Sequence, residues 1–169
     1  MSKNGHSEKL KLGFIGAVEV DGRGFVGGLL VTNSGGRPLE FQCTTPVRPD
    51  RTQEILYGKM LRPWLLGELI GGTLLERVKI KPDLVVTSDP DFLDLRDHAD
   101  IPVVCTAQEE TSQGVDLGGH RLKFHDGHEA DNQFVSDKLH LIPNQADLEE
   151  PLDRVHEALS ETVKTVMAR

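Results

Sequence analysis

Apolar residues alternate with polar or small ones from Leu10 to Asp21. Leu10, Leu12, Phe14, Val18 and Val20 fall on one side, the period of a half-buried strand. Asp21-Gly22-Arg23-Gly24 supplies turn chemistry, and Phe25 to Thr32 reads as a second strand in which Gly27-Gly28 marks a bulge or a close backbone approach. After Asn33-Ser34-Gly35-Gly36 the alternation resumes through Leu39, Phe41, Cys43 and Thr45 until Pro46 ends it. Three strands with short turns between them predict an antiparallel meander.

The period then lengthens. Asp50 with Gln53 three residues on is a capping box, which predicts a helix to about Leu61. Pro63 restarts the helical pattern, and Leu65, Leu69, Ile70, Leu74 and Val78 carry it past Gly71-Gly72, so two helices meeting at a kink are expected. Leu84 to Val86 reads as a buried strand tipped by Thr87-Ser88-Asp89-Pro90. A short helix from about Asp91 to Arg96 and a second buried strand from Ile101 to Cys105 follow. Strand, crossover and strand in this order predict a parallel pair with a right-handed connection.

Gln108 to Gly119 has no period and reads as the longest loop, and Arg121 to His125 as an edge strand. Leu148, Leu152, Val155, Leu159, Val163 and Val166 form a helical stripe between Asp147 and Arg169, with acidic residues early and Lys164 and Arg169 late, as the helix dipole favours. These elements define an α/β fold class: a mixed sheet of about five strands, an antiparallel meander of three and then a parallel pair, with helices on its faces. Residues 1–9 are expected to be a flexible N-terminus and 10–169 a single domain.

Composition narrows the function. A chain of 169 residues buries roughly two-thirds of its unfolded surface and needs no metal or disulfide to fold. Aromatics make up only 5%, so the core falls to Leu, Val and Ile. Met1 to Glu8 is polar, with no apolar export segment, and no run approaches the ~20 apolar residues of a membrane helix, so a cytoplasmic protein with no membrane partner is expected. Cys43 and Cys105 lie in strand-like runs and read as buried thiols of a reducing compartment. Nineteen basic against 27 acidic residues leave a net charge of −8, which repels polyanions, so nucleic acid is expected to be a disfavoured partner.

Two groups of residues carry candidate chemistry. His120, His125, Asp126, His128, Glu129 and Asp131 are close enough in sequence to offer imidazole and carboxylate ligands to a divalent ion, with His125, His128 and Asp131 as the candidate metal set, against the alternative of a solvated turn. Asp21, Asp89 and Asp91 lie at strand ends, where carboxylates distant in sequence can converge on Mg²⁺, although Asp89 before Pro90 is also an ordinary helix cap. The glycines at Gly13, Gly16, Gly22 and Gly24 lead into strands and not into a helix N-terminus, so they form no phosphate cradle.

The order of three meandering strands, helix, strand, helix, strand and terminal helix resembles the ribonuclease H-like fold. Asp21-Gly22, the segment Arg51 to Leu56 with Glu54, and Thr87-Ser88-Asp89 are similar to that family's acidic motifs, and Gly127-His128 with Asp137 is loosely similar to its last one. The resemblance implies Mg²⁺ held by Asp21, Glu54, Asp89 and Asp137, activating water and stabilising a leaving oxygen. Gly28 to Asn33, Arg37 to Phe41, Gln53 to Gly58 and Gly67 to Gly71 also resemble a family of small uncharacterised bacterial proteins, over about residues 13 to 95. That second resemblance implies one intact domain and no particular mechanism.

Asp21 reads as a turn residue, Pro143 blocks a long helix through Asp137, and the net charge opposes a polyanion. The sequence therefore favours a non-catalytic binding or assembly module that needs no cofactor. The alternative is a Mg-dependent ribonuclease H-like nuclease or phosphoryl-transfer enzyme using Asp21, Glu54 and Asp89. Tyr57, Trp64, Leu65 and Leu66 exceed what one buried stripe requires, which points to a homo-oligomer or a protein partner on that surface, with core packing as the alternative.

Overall fold

The computed structural model describes residues 9–106, 115–117, 120–128, 130–143 and 147–167. Strands β1 (Lys11–Val20), β2 (Gly24–Asn33) and β3 (Pro38–Cys43) form the expected antiparallel meander, with Phe14 opposite Leu30 and Leu30 opposite Phe41. β4 (Leu84–Thr87) lies parallel to β1, with Phe14 beside Val86, and β5 (Val103–Cys105) lies parallel to β4. β5 starts at Val103 and not at Ile101, because Pro102 has no N–H to give to the ladder.

Beyond the expected five strands, the sheet continues through β7 (His120–Phe124) and β6 (Val115–Leu117) in the order β3-β2-β1-β4-β5-β7-β6. The segment Arg121 to His125 is therefore not the edge. Val115–Leu117, expected within a loop, pairs along its outer side. Residues 107–114 and 118–119 of that expected loop, and residues 1–8 of the expected N-terminal tail, lie outside the described residues.

The alternation in β1 divides the core in two. Leu12 and Phe14 turn toward α4 (Glu149–Met167), whose Leu152, Val155 and Leu159, with Leu148 just before the helix, are buried in the same cluster. Ile15, with Leu29, Val85 and Val103, faces the opposite layer, built from a π-helix Pro63–Gly71, the contiguous α2 (Gly72–Arg77) and a 3-10 helix Pro90–His98. Gly27 makes the second layer possible, since a Cβ there would lie 2.2 Å from Cγ2 of Ile70.

Helix α1 (Arg51–Tyr57) carries the expected capping box. Asp50 accepts from the Gln53 amide at 2.8 Å, and Gln53 accepts from the Asp50 amide at 2.9 Å. It ends earlier than Leu61 because Gly58 takes φ 53° and turns the chain into a 3-10 turn. The break thus falls at Gly58, and the chain stays helical through Gly71 and Gly72, which both keep right-handed helical dihedrals. A further helix, α3 (Ala130–Lys138), has no counterpart in the sequence reading. Among the described residues, no helix is long and apolar enough to cross a membrane.

Candidate functional site

The carboxyl end of β4 is the first place where acidic groups collect. Asp89 caps the helix Pro90–His98, accepting from the Asp91 amide at 3.0 Å. Arg62 reaches both carboxylates, with Nη2 2.7 Å from Asp89 and Nε 2.9 Å from Asp91. Its guanidinium also lies over the Phe25 ring at 5.4 Å. Partial burial works against the Arg62 charge, but the hydrogen bonds to Asp89 and Asp91 outweigh it and raise the arginine's pKa.

The remaining carboxylates expected there are elsewhere. Asp21 is exposed in the β1–β2 turn, Glu54 is paired with Arg51 at 3.2 Å on α1, and Asp137 accepts from Gln133 at 2.8 Å on α3. On β1, the residues just past its register with β4 are Ile15, Gly16 and Ala17, none acidic. Glu19 opposite Phe25 is the acidic residue of β1 that shares this face, and its position inside an otherwise apolar strand was the available signal. A Mg²⁺ ion needs several free oxygens, whereas Asp89 and Asp91 already surround a cation of the chain's own, so these residues do not fit the ion as they stand.

The other face of the same sheet edge holds residues that sequence reasoning did not single out. The Thr106 hydroxyl donates to Glu149 at the start of α4, and the Thr106 amide donates to the Thr87 carbonyl at 2.9 Å. His156 of the last helix is half-buried, and a Cβ on Gly16 would lie 3.2 Å from its ring. The His156 Nδ1–H donates to the Leu152 carbonyl at 2.9 Å.

The second place is built by the register of β5 and β7. Pairing Val104 with Phe124 carries His125 and the turn after it onto the helix Pro90–His98. There Nε2 of His125 lies 3.1 Å and Nε2 of His128 2.8 Å from the two oxygens of Asp97, and Asp94 is 3.7 Å from His125. The two rings meet edge to face at 5.2 Å. Hydrogen bonding to His128, against slight desolvation and with the added attraction of His125, holds the Asp97 carboxyl below its usual range. Nδ1 of His125 accepts from the Gly127 amide at 3.0 Å, which leaves the ring's proton on Nε2, facing Asp97.

Asp131 does not join the two histidines as the sequence suggested. It is buried and pairs with Arg96 at 2.7 Å, so the third member of the cluster is Asp97. Asp126 is exposed, and Glu129 lies outside the described residues. Nothing local marks Asp97, since it lies 28 residues before His125 and is brought there by strand pairing.

No family profile and no curated protein matches the chain, so the resemblance to small bacterial proteins stands on its local sequence words alone. Among solved structures, the chain is similar to endonuclease V (D234N) of Ciona intestinalis in complex with a 23mer DNA containing an inosine followed by a ribo-adenosine. The TM-score is 0.41 and the identity 11%, over 78% of this chain and 56% of that one. The chain thus spans little more than half the length of that neighbour. Net charge says nothing of the local surface that makes a contact. The expectation that nucleic acid is a disfavoured partner, drawn from −8 alone, is therefore withdrawn.

Proposed function

We propose that this chain is a binding and assembly module whose docking surface is helix α1. The observation that carries the reading is that α1 has no buried residue at all. Ile55, Leu56 and Met60 are 64%, 77% and 58% exposed, and Tyr57 stacks on Trp64 with ring centroids 4.2 Å apart. A short helix with no buried residue forms weakly in water, so an outward apolar face on a capped helix is a surface that expects a partner.

The occupant is a second copy of this chain. The patch gathers Ile55, Leu56, Tyr57 and Met60, exposed apolar residues close in sequence. A two-fold axis presents the same patch twice, with Ile55 and Leu56 on α1 and Met60 in the turn after it as its exposed apolar anchors. Hydrolysis on Mg²⁺ is the less favoured reading because Arg62 neutralises Asp89 and Asp91. The location we assign is the cytoplasm, where Cys43 and Cys105, which form no disulfide, remain thiols.

Light scattering behind size exclusion tests the assembly. The wild type is expected to shift from monomer toward dimer as concentration rises, and Leu56→Asp with Met60→Asp to remain monomeric with an unchanged Tm, since neither side chain is buried. A wild type that stays monomeric at the highest attainable concentration overturns the reading. Mg²⁺ is expected to leave the Tm unmoved, and a Mg²⁺-dependent rise would favour the hydrolase instead.

A further inference from the structure

The chain offers a second site, independent of the α1 surface, in the cluster of Asp97, His125 and His128. From this geometry we infer that it is a binding site for a divalent first-row transition ion, Zn²⁺ above all, and not for Mg²⁺. Imidazole nitrogen with carboxylate oxygen is a donor set that suits Zn²⁺ and its neighbours, whereas Mg²⁺ prefers oxygen alone.

Spacing supports the assignment. Donor atoms on one tetrahedral ion at ordinary bond lengths stand about 3.3 Å apart. One Asp97 oxygen lies 3.1 Å from Nε2 of His125 and the other 2.8 Å from Nε2 of His128, and the three residues' donor atoms all lie within 4.8 Å of one another, so side-chain adjustment alone brings them to one ion. Asp94, 3.7 Å from His125, is placed to add a fourth donor from the same helix. Asp97 is half-exposed, which leaves room for water on the outer side of the ion.

The donors are also held. Arg96, adjacent to Asp97, is locked to Asp131, three residues past His128, in a largely buried ion pair. The His128 amide donates to the His125 carbonyl at 3.1 Å, and the Asp131 amide donates to the His128 carbonyl at 3.1 Å, so the turn carrying both rings is fixed onto the helix carrying the carboxylate. This arrangement brings the parts of a site together before any ion arrives, which lowers the ordering cost of binding.

The His125 tautomer gives the inference a signature. An ion on Nε2 moves the ring proton to Nδ1, and Nδ1 then cannot accept from the Gly127 amide. Gly127 is exposed, so water replaces the lost partner at little cost.

The test uses the full chain stripped with a chelator. Zn²⁺ at a hundredfold excess over Kd is expected to raise Tm by roughly 5 °C or more, with no rise from Mg²⁺. Co²⁺ is expected to bind one equivalent and give the visible absorption of a four- or five-coordinate ion. In NMR spectra of the wild type, Zn²⁺ is expected to shift the Gly127 amide together with the ring signals of His125 and His128. His128→Gln and Asp97→Asn are each expected to weaken binding at least tenfold, and His140→Gln to leave it unchanged.

Two results overturn the inference. One is a wild type whose His125, His128 and Gly127 signals respond to pH but not to Zn²⁺. The other is Co²⁺ binding that survives His125→Gln with His128→Gln at full strength. The wild-type NMR arm decides the matter even where a variant fails to fold.

Discussion

Asp131 shows how a residue's neighbours in space decide its role against its neighbours in sequence. It was grouped with His125 and His128, yet its carboxylate is spent on Arg96, with side chains only 11% and 18% exposed. Removing one partner of such a pair leaves a buried, uncompensated charge. Asp131→Ala is expected to cost about 3 kcal/mol, read as a lower urea midpoint, while Arg96→Met with Asp131→Leu is expected to recover most of the loss. Glu40 makes a different contribution. Its pKa lies below the ordinary 4.5, chiefly through the Gln42 side chain and the backbone amides of Ile80 and Lys79. A depressed carboxylate stabilises the fold above its unfolded pKa and loses that contribution as pH falls through the folded value. Stability of the wild type should therefore decline below about pH 4.5 more steeply than that of Glu40→Gln, measured by urea melts across that window.

Among the elements, α1 is the one whose stability is its own. With a full capping box but no buried residue, it is tied to the body by little beyond the Tyr57–Trp64 stack. Asp50→Ala removes a cap worth about 1 kcal/mol. Amide exchange over Arg51–Tyr57 is expected to accelerate while the global Tm moves by no more than a degree or so, because the loss falls on a locally unfolding unit. The same contrast explains which elements were legible. β1 and β2 are rich in apolar residues because both of their faces are covered, and α4 repeats apolar residues because one side meets the sheet. α3 buries only Asp131 and Val135 among its described side chains, so no stripe announced it, and three-residue β6 is too short to show a period.

At the scale of the whole molecule, the meander of three, the parallel pair and the helices on the sheet's faces followed from pattern, whereas the extension of the sheet through β7 and β6 did not. The candidate sites were legible only as far as they are local. His125 and His128 stand three residues apart and were visible, whereas Asp97 reaches them only because β7 returns beside β5. The proposed acidic edge failed for the same reason. Asp89 and Asp91 were placed at the tip of β4, but no local feature tied Arg62 to them, 27 and 29 residues away.

The rim formed by β3 bears on what kind of assembly this chain can make. That strand opens with Pro38, its pairing with β2 slips between Val31 and Thr32, and its Glu40 side chain is fastened to the amides of Lys79 and Ile80. Such an irregular border is a poor template for another chain's backbone. Two unrelated self-contacts on one molecule would propagate copies into an open fibre, whereas a single symmetric contact closes at two. With α1 as the proposed contact, a blunted β3 adds no second one, and the assembly is expected to close at the pair.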